Sequence, residues 1–395
     1  MATETEDKRR PIILHVFSTL AVGGPQKRFV QIAGSTASRY RHMALANDGN
    51  YGALDLLGDA SAVETLKSCS NQGGLIERTF RYASCLSRLK PDLIVTYNWG
   101  AIEWALATRL LKIPHIHAED GFGPDESDTQ LRRRVWFRRV ALGGSSAIVV
   151  PSRNLERIAG TLWRLKRSRI RYIANGVPIS PPLDDAARTR LRLDEFNTGP
   201  TTLLIGWVGA LRPEKNVHRL LRAFASLSSS AELVLVGDGP LRKQIESEIL
   251  ALNLKQRVRL TGFRSDVAKI LPAFNLLALS SDTEQMPIAV LEGMACGLPI
   301  ASVNVGDVAD MVAPENRQFV VPKDETELAT AISALLSSPK LRSEIGNANR
   351  ARAHGEFSLQ RMIDAYVRLF DGTMLKRPIP ADAPASGSTC QDLAL

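Results

Sequence analysis

The sequence predicts an α/β protein built from two doubly wound parallel sheets in series, and three observations carry that reading. Short apolar runs rich in β-branched residues recur along the chain, helix-length amphipathic stretches separate them, and one polar, turn-rich segment divides the series in two. The first series runs through residues 12–17 (IILHVF), 93–97 (LIVTY), 113–117 and 147–150 (AIVV). Runs this short and this continuous suit strands buried on both faces by helices. The break follows Asn175-Gly176-Val177-Pro178: Ser180-Pro181-Pro182 leads into a polar stretch ending in Asn197-Thr198-Gly199-Pro200, with little to bury.

The second series comprises 202–209 (TLLIGWVG), 232–237 (ELVLVG), 258–262 (VRLTG), 276–280 (LLALS) and 299–306 (PIASVNVG). Segments 325–338 and 339–355 read as helices, and 358–370 sets Met362, Ile363, Tyr366, Val367 and Phe370 on one face at helical spacing. Such a face must pack on something. The expected division is a Rossmann-like domain over 11–177, a linker over 178–200 and a second Rossmann-like domain over 201–355. A helix over 356–372 then returns to the first domain, and 373–395, rich in Pro, Ala, Ser and Gly at its end, is expected to be a disordered tail. No internal repeat is visible.

Composition narrows the function classes. With 395 residues, 44% hydrophobic and 23% charged, the chain is an ordinary globular protein with room for two or three domains. The net charge of +9 is unevenly spread: 26 basic and 16 acidic residues precede or include Ser180, against 24 and 25 after it. An anionic partner for the first half is the physical implication. Cys69, Cys85, Cys296 and Cys390 have neither CxxC nor CxH spacing, so no disulfide framework or zinc site is expected. The N-terminal residues lack the apolar core of a secretion signal, and no run approaches the ~18–20 apolar residues that span a bilayer. A soluble or at most peripheral protein of the reducing cytoplasm is expected.

Open parallel sheets bind ligands beyond the carboxyl ends of their strands, so the crevice between the two domains is the expected site. Val22-Gly23-Gly24-Pro25 follows the first strand and opens a helix carrying Lys27 and Arg28. Two glycines admit a ligand close to the backbone, and free N–H groups at a helix start attract an anion; a tight strand-to-helix turn is the alternative. The absence of GxGxxG lowers a dehydrogenase reading. In the second domain, Arg212-Pro213-Glu214-Lys215 follows a strand and sets two cations three residues apart at a helix start, where they and the dipole suit a diphosphate; solvated surface charge is the alternative.

The most specific segment runs from Glu284 through Gln285, Met286, Pro287 and Ile288 to Glu292. Pro287 opens a helix and Gly297 and Pro299 close it, leaving Glu284 in the loop and Glu292 about 7.5 Å along the axis from Pro287. Two carboxylates so placed can accept hydrogen bonds from hydroxyls along one extended ligand, as sugars and ribose offer.

On these residues the sequence resembles the retaining glycosyltransferases of the GT-B fold, family four (group 1), marked by an E-x7-E motif. Glu284 and Glu292 match its two glutamates, Gly23-Gly24 its N-terminal glycine loop, and Arg212 and Lys215 its Arg/Lys pair. Asn175-Gly176-Val177, Gly237-Asp238-Gly239-Pro240 and Gly262-Phe263-Arg264-Ser265-Asp266 are similar to its recurrent segments, and the resemblance spans 11–370. It implies two Rossmann-like domains facing a central cleft, with 11–177 on the acceptor side and 201–355 binding a nucleotide-diphosphate sugar. The implied reaction moves that sugar, with retention, to a glycan, lipid-linked or small-molecule acceptor, as in bacterial-type surface polysaccharide or glycolipid synthesis.

By the same resemblance Arg212 and Lys215 neutralise the departing diphosphate, Glu292 binds the ribose, and Glu284 orients the sugar with the backbone of Met286, Pro287 and Ile288. Gly262-Phe263 lies beside the base, and His117, ending a first-domain strand, matches the histidine that lines the sugar site. A satisfied polar residue at a strand end is the alternative for His117, and Glu119 and Asp120 are its accessories. No metal or other cofactor is implied: two cations and helix N–H groups replace a divalent ion, and there is no Asp-x-Asp placed to hold one. Two departures stand out. Gln285-Met286 replaces the glycine-rich EGFG, and Val305-Gly306-Asp307 replaces a usual GG loop.

Arg132-Arg133-Arg134-Val135-Trp136-Phe137-Arg138-Arg139 and the basic stretch 163–171 suit peripheral contact of the first domain with anionic membrane, at the inner face of the cytoplasmic membrane. The alternative is a solvated arginine-rich helix with Trp136 in the core. Nucleic-acid binding is disfavoured, since no helix-turn-helix, zinc or RNP signature accompanies the charge. Against the enzyme stands a non-catalytic nucleotide-sugar-binding or assembly module, and, within the enzymes, an epimerase or phosphorylase. No lysine context suggests bound pyridoxal phosphate.

Overall fold

A computed structural model describes residues 9–375 except 71, 123–125, 127, 128, 200 and 229. Seven parallel strands form the sheet of the first lobe: β1 (Ile12–Phe17), β2 (Arg41–Ala46), β3 (Val63–Leu66), β4 (Leu93–Tyr97), β5 (His115–Ala118), β6 (Ala147–Val150) and β7 (Ile170–Tyr172). Six more form that of the second: β8 (Leu204–Val208), β9 (Glu232–Val236), β10 (Val258–Gly262), β11 (Leu276–Leu279), β12 (Ile300–Val303) and β13 (Val320–Val321). The spatial orders are β3-β2-β1-β4-β5-β6-β7 and β10-β9-β8-β11-β12-β13. In each sheet the direction of winding reverses once, between β1 and β4 and between β8 and β11. Loops leaving the strands on either side of that point diverge and open a crevice.

β1 and β4 are buried at every position, as strands covered on both faces must be. On one face of the first sheet the helices Gly24–Thr36 and Leu359–Met374 bury Phe29, Ile32, Met362, Tyr366 and Phe370. On the other, the helices Leu75–Leu89 and Trp104–Leu111 bury Tyr82 and Trp104, whose rings stack at 4.2 Å. The chain crosses to the second lobe at Val177 and returns at Ser358. There Val177 N–H donates to Phe357 O and Leu359 N–H to Val177 O, both at 2.9 Å.

Two expectations and one alternative need correction. The stretch 178–200 is not wholly a linker: Asp185–Phe196 is a helix, N-capped by the Asp184 side chain, that buries Arg192 and Phe196 against the second lobe. Arg192 Nε donates to Ala273 O at 2.7 Å, and Phe196 meets Phe274 at 5.7 Å between ring centroids. Only two of its twelve residues are buried, which is why the sequence looked empty of core. The last helix continues past 372 to Met374, with Thr373 among its buried residues; residues 376–395 lie outside those described. Trp136, finally, is 62% exposed, while Trp163 occupies the core.

Candidate active site between the lobes

The loop after β8 and the loop after β11 are tied together before any ligand is considered. Arg212 starts a 3-10 turn, Pro213–Lys215, and Asn216, at a φ of 39°, caps the helix Val217–Ala225 by accepting from Arg219 N–H. Asn216 Nδ2 donates to Asp282 Oδ2 at 2.9 Å, Ser280 Oγ donates to Lys215 O at 3.0 Å, and Asp282 N–H donates to Glu214 O at 2.9 Å. Arg219 pairs with Asp282 at 2.7 Å. Lys215 Nζ therefore comes within 2.5 Å of Glu284 Oε1, which also accepts from Ser281 Oγ at 2.9 Å. Arg212 is exposed, and among the described residues no carboxylate pairs with it. The two cations thus precede the helix proper rather than sit within it.

Two glycines make this packing possible. Gly237 has a φ of +142°, and a Cβ there would lie 1.8 Å from Gly209 O, so the loop after β9 can lie on the loop after β8 only without a side chain. Gly306, at a φ of +55°, rests against the loop after β11: a Cβ would fall 2.5 Å from Glu284 O and 2.6 Å from Gln285 O.

Glu292 stands about one turn into the helix Ile288–Ala295 and faces the first lobe, 3.7 Å from Lys27 Nζ. Burial pushes its carboxyl above the usual range, with Lys27 pulling it partly back. Gly24 approaches Ile288 from the other lobe: a Cβ on Gly24 would be 3.4 Å from Ile288 Cδ1. The groups enclose a cavity of about 600 Å³ lined by the Gly23-Gly24 turn, Arg212, Lys215, Phe263, Glu284, Met286, Pro287, Ile288 and Glu292. Phe263 is 61% exposed, and Gly262, at a φ of +74°, accepts from Gly237 N–H through its carbonyl. A second chamber of about 270 Å³ adjoins it beyond the Lys27–Glu292 pair, against Pro178–Leu183.

His117 is placed elsewhere. It lies on β5 with its ring wholly buried, in a polar chain inside the lobe: Thr96 Oγ1 is 2.8 Å from His117 Nδ1 and 2.9 Å from His115 Nε2. His117 Nε2 is 3.4 Å from Glu119 Oε2, which Arg138 approaches at 3.6 Å. Strand alternation explains the difference, because His115 and His117 share one face of β5 and that face is covered. Asp120, beyond the strand end, is the residue of this stretch that lines the cavity.

Asp120 is fixed by Arg28, whose second guanidinium nitrogen is 2.8 Å from Asp120 Oδ2. Arg28 Nη1 also donates to Asn175 Oδ1 at 3.0 Å, and Asn175 Nδ2 donates to Met286 O at 3.0 Å. Arg28, read as a cation at a helix start, is thus consumed inside the first lobe. What the sequence offered too faintly was Lys27, Asp120 and Asn175 meeting at one place.

The arginine-rich helix Arg132–Leu142 divides similarly. Arg138 is buried, donates to Glu126 at 2.9 and 3.1 Å, and sits among the rings of Trp99, Phe122 and Trp163. Arg132, Arg133 and Trp136 remain at the surface. Among the described residues no group of three or more His, Cys, Asp or Glu is placed to hold a metal, and no helix is long and apolar enough to cross a membrane.

Comparison with known proteins agrees with this geometry. Residues 23–176 match the glycosyl transferase 4-like domain, and residues 193–352 match glycosyl transferases group 1. The chain is 26% identical over 283 residues to alpha-D-kanosaminyltransferase of Streptomyces kanamyceticus, covering 67% of this chain and 72% of that one. It is 30% identical over 184 residues to the lipopolysaccharide core biosynthesis glycosyltransferase LpsD of Rhizobium meliloti, covering 46% of this chain. The matched region spans about half of some curated relatives: 53% of LpsD, and 47% of N-acetyl-alpha-D-glucosaminyl L-malate synthase of Bacillus anthracis. Among solved structures, Anabaena Alr3699/HepE in complex with UDP and glucose superposes with a TM-score of 0.80 at 20% identity, covering 92% of this chain and 100% of that one. The fold is GT-B, and the chain belongs to the group 1 glycosyltransferases.

Proposed function

We propose that the protein is a retaining glycosyltransferase that moves a sugar from a nucleotide-diphosphate donor to a glycan, lipid-linked or small-molecule acceptor in surface polysaccharide or glycolipid synthesis, without a metal. The observation that carries it is convergence: Arg212, Lys215, Glu284 and Glu292, from three separate elements, line one cavity at the carboxyl ends of the second sheet. Arg212 and Lys215 take the diphosphate. Their charge stabilises the negative charge that grows on the leaving group as the bond to the anomeric carbon breaks and the bonding pair departs with the diphosphate. Glu292 accepts from ribose hydroxyls, and Glu284, already within reach of Lys215, accepts from the sugar. The first lobe closes the cavity from the acceptor side with Gly23, Gly24 and Asp120.

Structures similar to this one bind UDP and glucose, which makes a UDP-sugar the first donor to try. Cytoplasmic work at an inner membrane face is part of the proposal, with Arg132, Arg133 and Trp136 as the exposed contact. The test is turnover of a panel of UDP-, GDP- and ADP-sugars, with thermal-shift screening to choose the base. Release of nucleoside diphosphate coupled to a glycosylated product with retained configuration is expected. Binding without turnover against every acceptor class would favour the non-catalytic module, and epimer formation or phosphate dependence the other enzymes.

A further inference from the structure

Two side chains stand at the edge of the donor cleft with nothing in the proposed chemistry to do. Asp307 and Gln285 both reach across to one short stretch of the first lobe. Asp307 follows β12, and its two carboxylate oxygens accept from the backbone N–H groups of Arg153, at 2.5 Å, and Asn154, at 3.1 Å. These open the nine-residue helix Arg153–Thr161, where N–H groups have no partner within the helix. Gln285 Oε1 accepts from Ser152 Oγ at 3.1 Å and from Asn154 Nδ2 at 3.3 Å. The two residues are also joined to each other, because Asp307 N–H donates to Gln285 O at 2.9 Å.

The carboxylate is in the right place for a strong contact. A negative charge at a helix start is favoured, and charge-assisted hydrogen bonds are about twice as strong as neutral ones. Asp307 is 6% exposed, so water competes little for it. Gln285 also approaches the first lobe with its Cγ, 3.5 Å from where a Cβ on Gly121, beyond the end of β5, would stand.

We infer that Asp307 and Gln285 form a clasp on Ser152, Arg153 and Asn154 that holds the two lobes closed before the donor arrives, so that donor binding need not drive closure. They are positioning residues: neither is assigned contact with the reacting atoms. The clasp itself stands on the contacts alone; its effect on donor affinity rests on the reading of the cleft as a nucleotide-sugar site.

The decisive variants remove the contact from opposite lobes. Asp307→Gly deletes the carboxylate at a backbone conformation (φ −96°, ψ 13°) that needs no rearrangement. Arg153→Pro deletes an N–H from the first helical position, where proline is tolerated and where the preceding Ser152 already has an extended backbone. Arg153→Ala is the control, since it keeps the N–H and loses only the guanidinium, which lies over Tyr172 and pairs with Glu156. Small-angle scattering of the substrate-free proteins, each checked for a cooperative melt, reads closure directly. Wild type and Arg153→Ala should be equally compact, with no further contraction on adding UDP. Asp307→Gly and Arg153→Pro should be expanded, and the double variant no more so than either alone.

If Asp307→Gly fails to melt cooperatively, Arg153→Pro carries the comparison. In turnover, the opening variants should raise donor KM about tenfold with little change in kcat, because only a fraction of molecules is competent to bind. Opening variants as compact as wild type, or Arg153→Ala as expanded as Arg153→Pro, would overturn the clasp. Absence of turnover with every nucleotide sugar would instead overturn the proposed function and leave the scattering result standing.

Discussion

The second lobe reaches the cavity with Arg212 and Lys215 from one loop and Glu284 and Glu292 from one loop and the helix after it. The first lobe reaches it with Lys27, Asp120 and Asn175, each from a different segment. The second lobe's groups are exposed or half-buried and tied by loop hydrogen bonds. Asp120 instead depends on a guanidinium that is 2% exposed. The lesson is an expectation of contrast: the second lobe's groups should be separable from stability, while Asp120 of the first lobe rests on a buried ion pair whose loss should loosen the fold.

Paired substitutions test that contrast. Lys215→Ala and Arg212→Ala should each cost about 10²- to 10³-fold in kcat while melting near wild type, the scale set by losing one stabilising donor at a developing charge. Asp120→Ala should instead destabilise by about 3–5 kcal/mol, because it strands Arg28 as a buried unpaired charge. Differential scanning calorimetry beside steady-state rates separates the two. A second-lobe variant that unfolds, or an Asp120→Ala protein as stable as wild type, would break the comparison.

Glu292 sharpens it. Its carboxyl is raised above the ordinary range, so above that raised value the folded state carries the cost of a buried charge, and protonation as pH falls relieves it. Glu292→Gln should therefore melt no lower than wild type at neutral pH yet lose about tenfold in donor affinity, measured by titration calorimetry. Wild-type donor affinity should begin to weaken on acidification above the usual carboxylate range.

The lobes should also differ in acid. His15, His42, His115 and His117 are all buried in the first lobe, whereas His218 is half-buried and His354 exposed in the second. Burial lowers His15, brings His42 down to about 4 and, with His117 nearby, His115 down to about 3. Below about pH 6.5 the unfolded chain binds protons that folded His15, His42 and His115 refuse, so stability falls as pH falls until those rings titrate. Hydrogen exchange at pH 5 against pH 7 should show first-lobe amides losing protection more than second-lobe amides.

The smallest effect concerns the surface. Arg132→Glu with Trp136→Ser should reduce sedimentation with acidic vesicles without altering turnover of a soluble acceptor; equal recovery in the supernatant with and without vesicles would remove membrane contact from the proposal.

The contrast also explains what could be read from the sequence. Strands such as β1, β4 and β8 were visible because IILHVF, LIVTY and LIGWV are continuous and β-branched or aromatic. β2, RHMALA, is not: alanine, methionine and a partnered histidine carry no strand signature, and its burial comes from neighbours. Glu284 and Glu292 were legible because one helix start fixes their spacing. His117 was not, because a motif does not say which face of β5 is covered. Nor was the clasp, in which Asp307 takes two backbone N–H groups that no side-chain pattern encodes.

The most direct test of the central proposal is a crystal structure with the nucleoside diphosphate that thermal shift selects. The expected result places the diphosphate within hydrogen-bonding distance of Arg212 and Lys215, with the ribose hydroxyls on Glu292. A nucleotide bound outside the cleft, or bound there with Arg212 and Lys215 turned away from its phosphates, would contradict it.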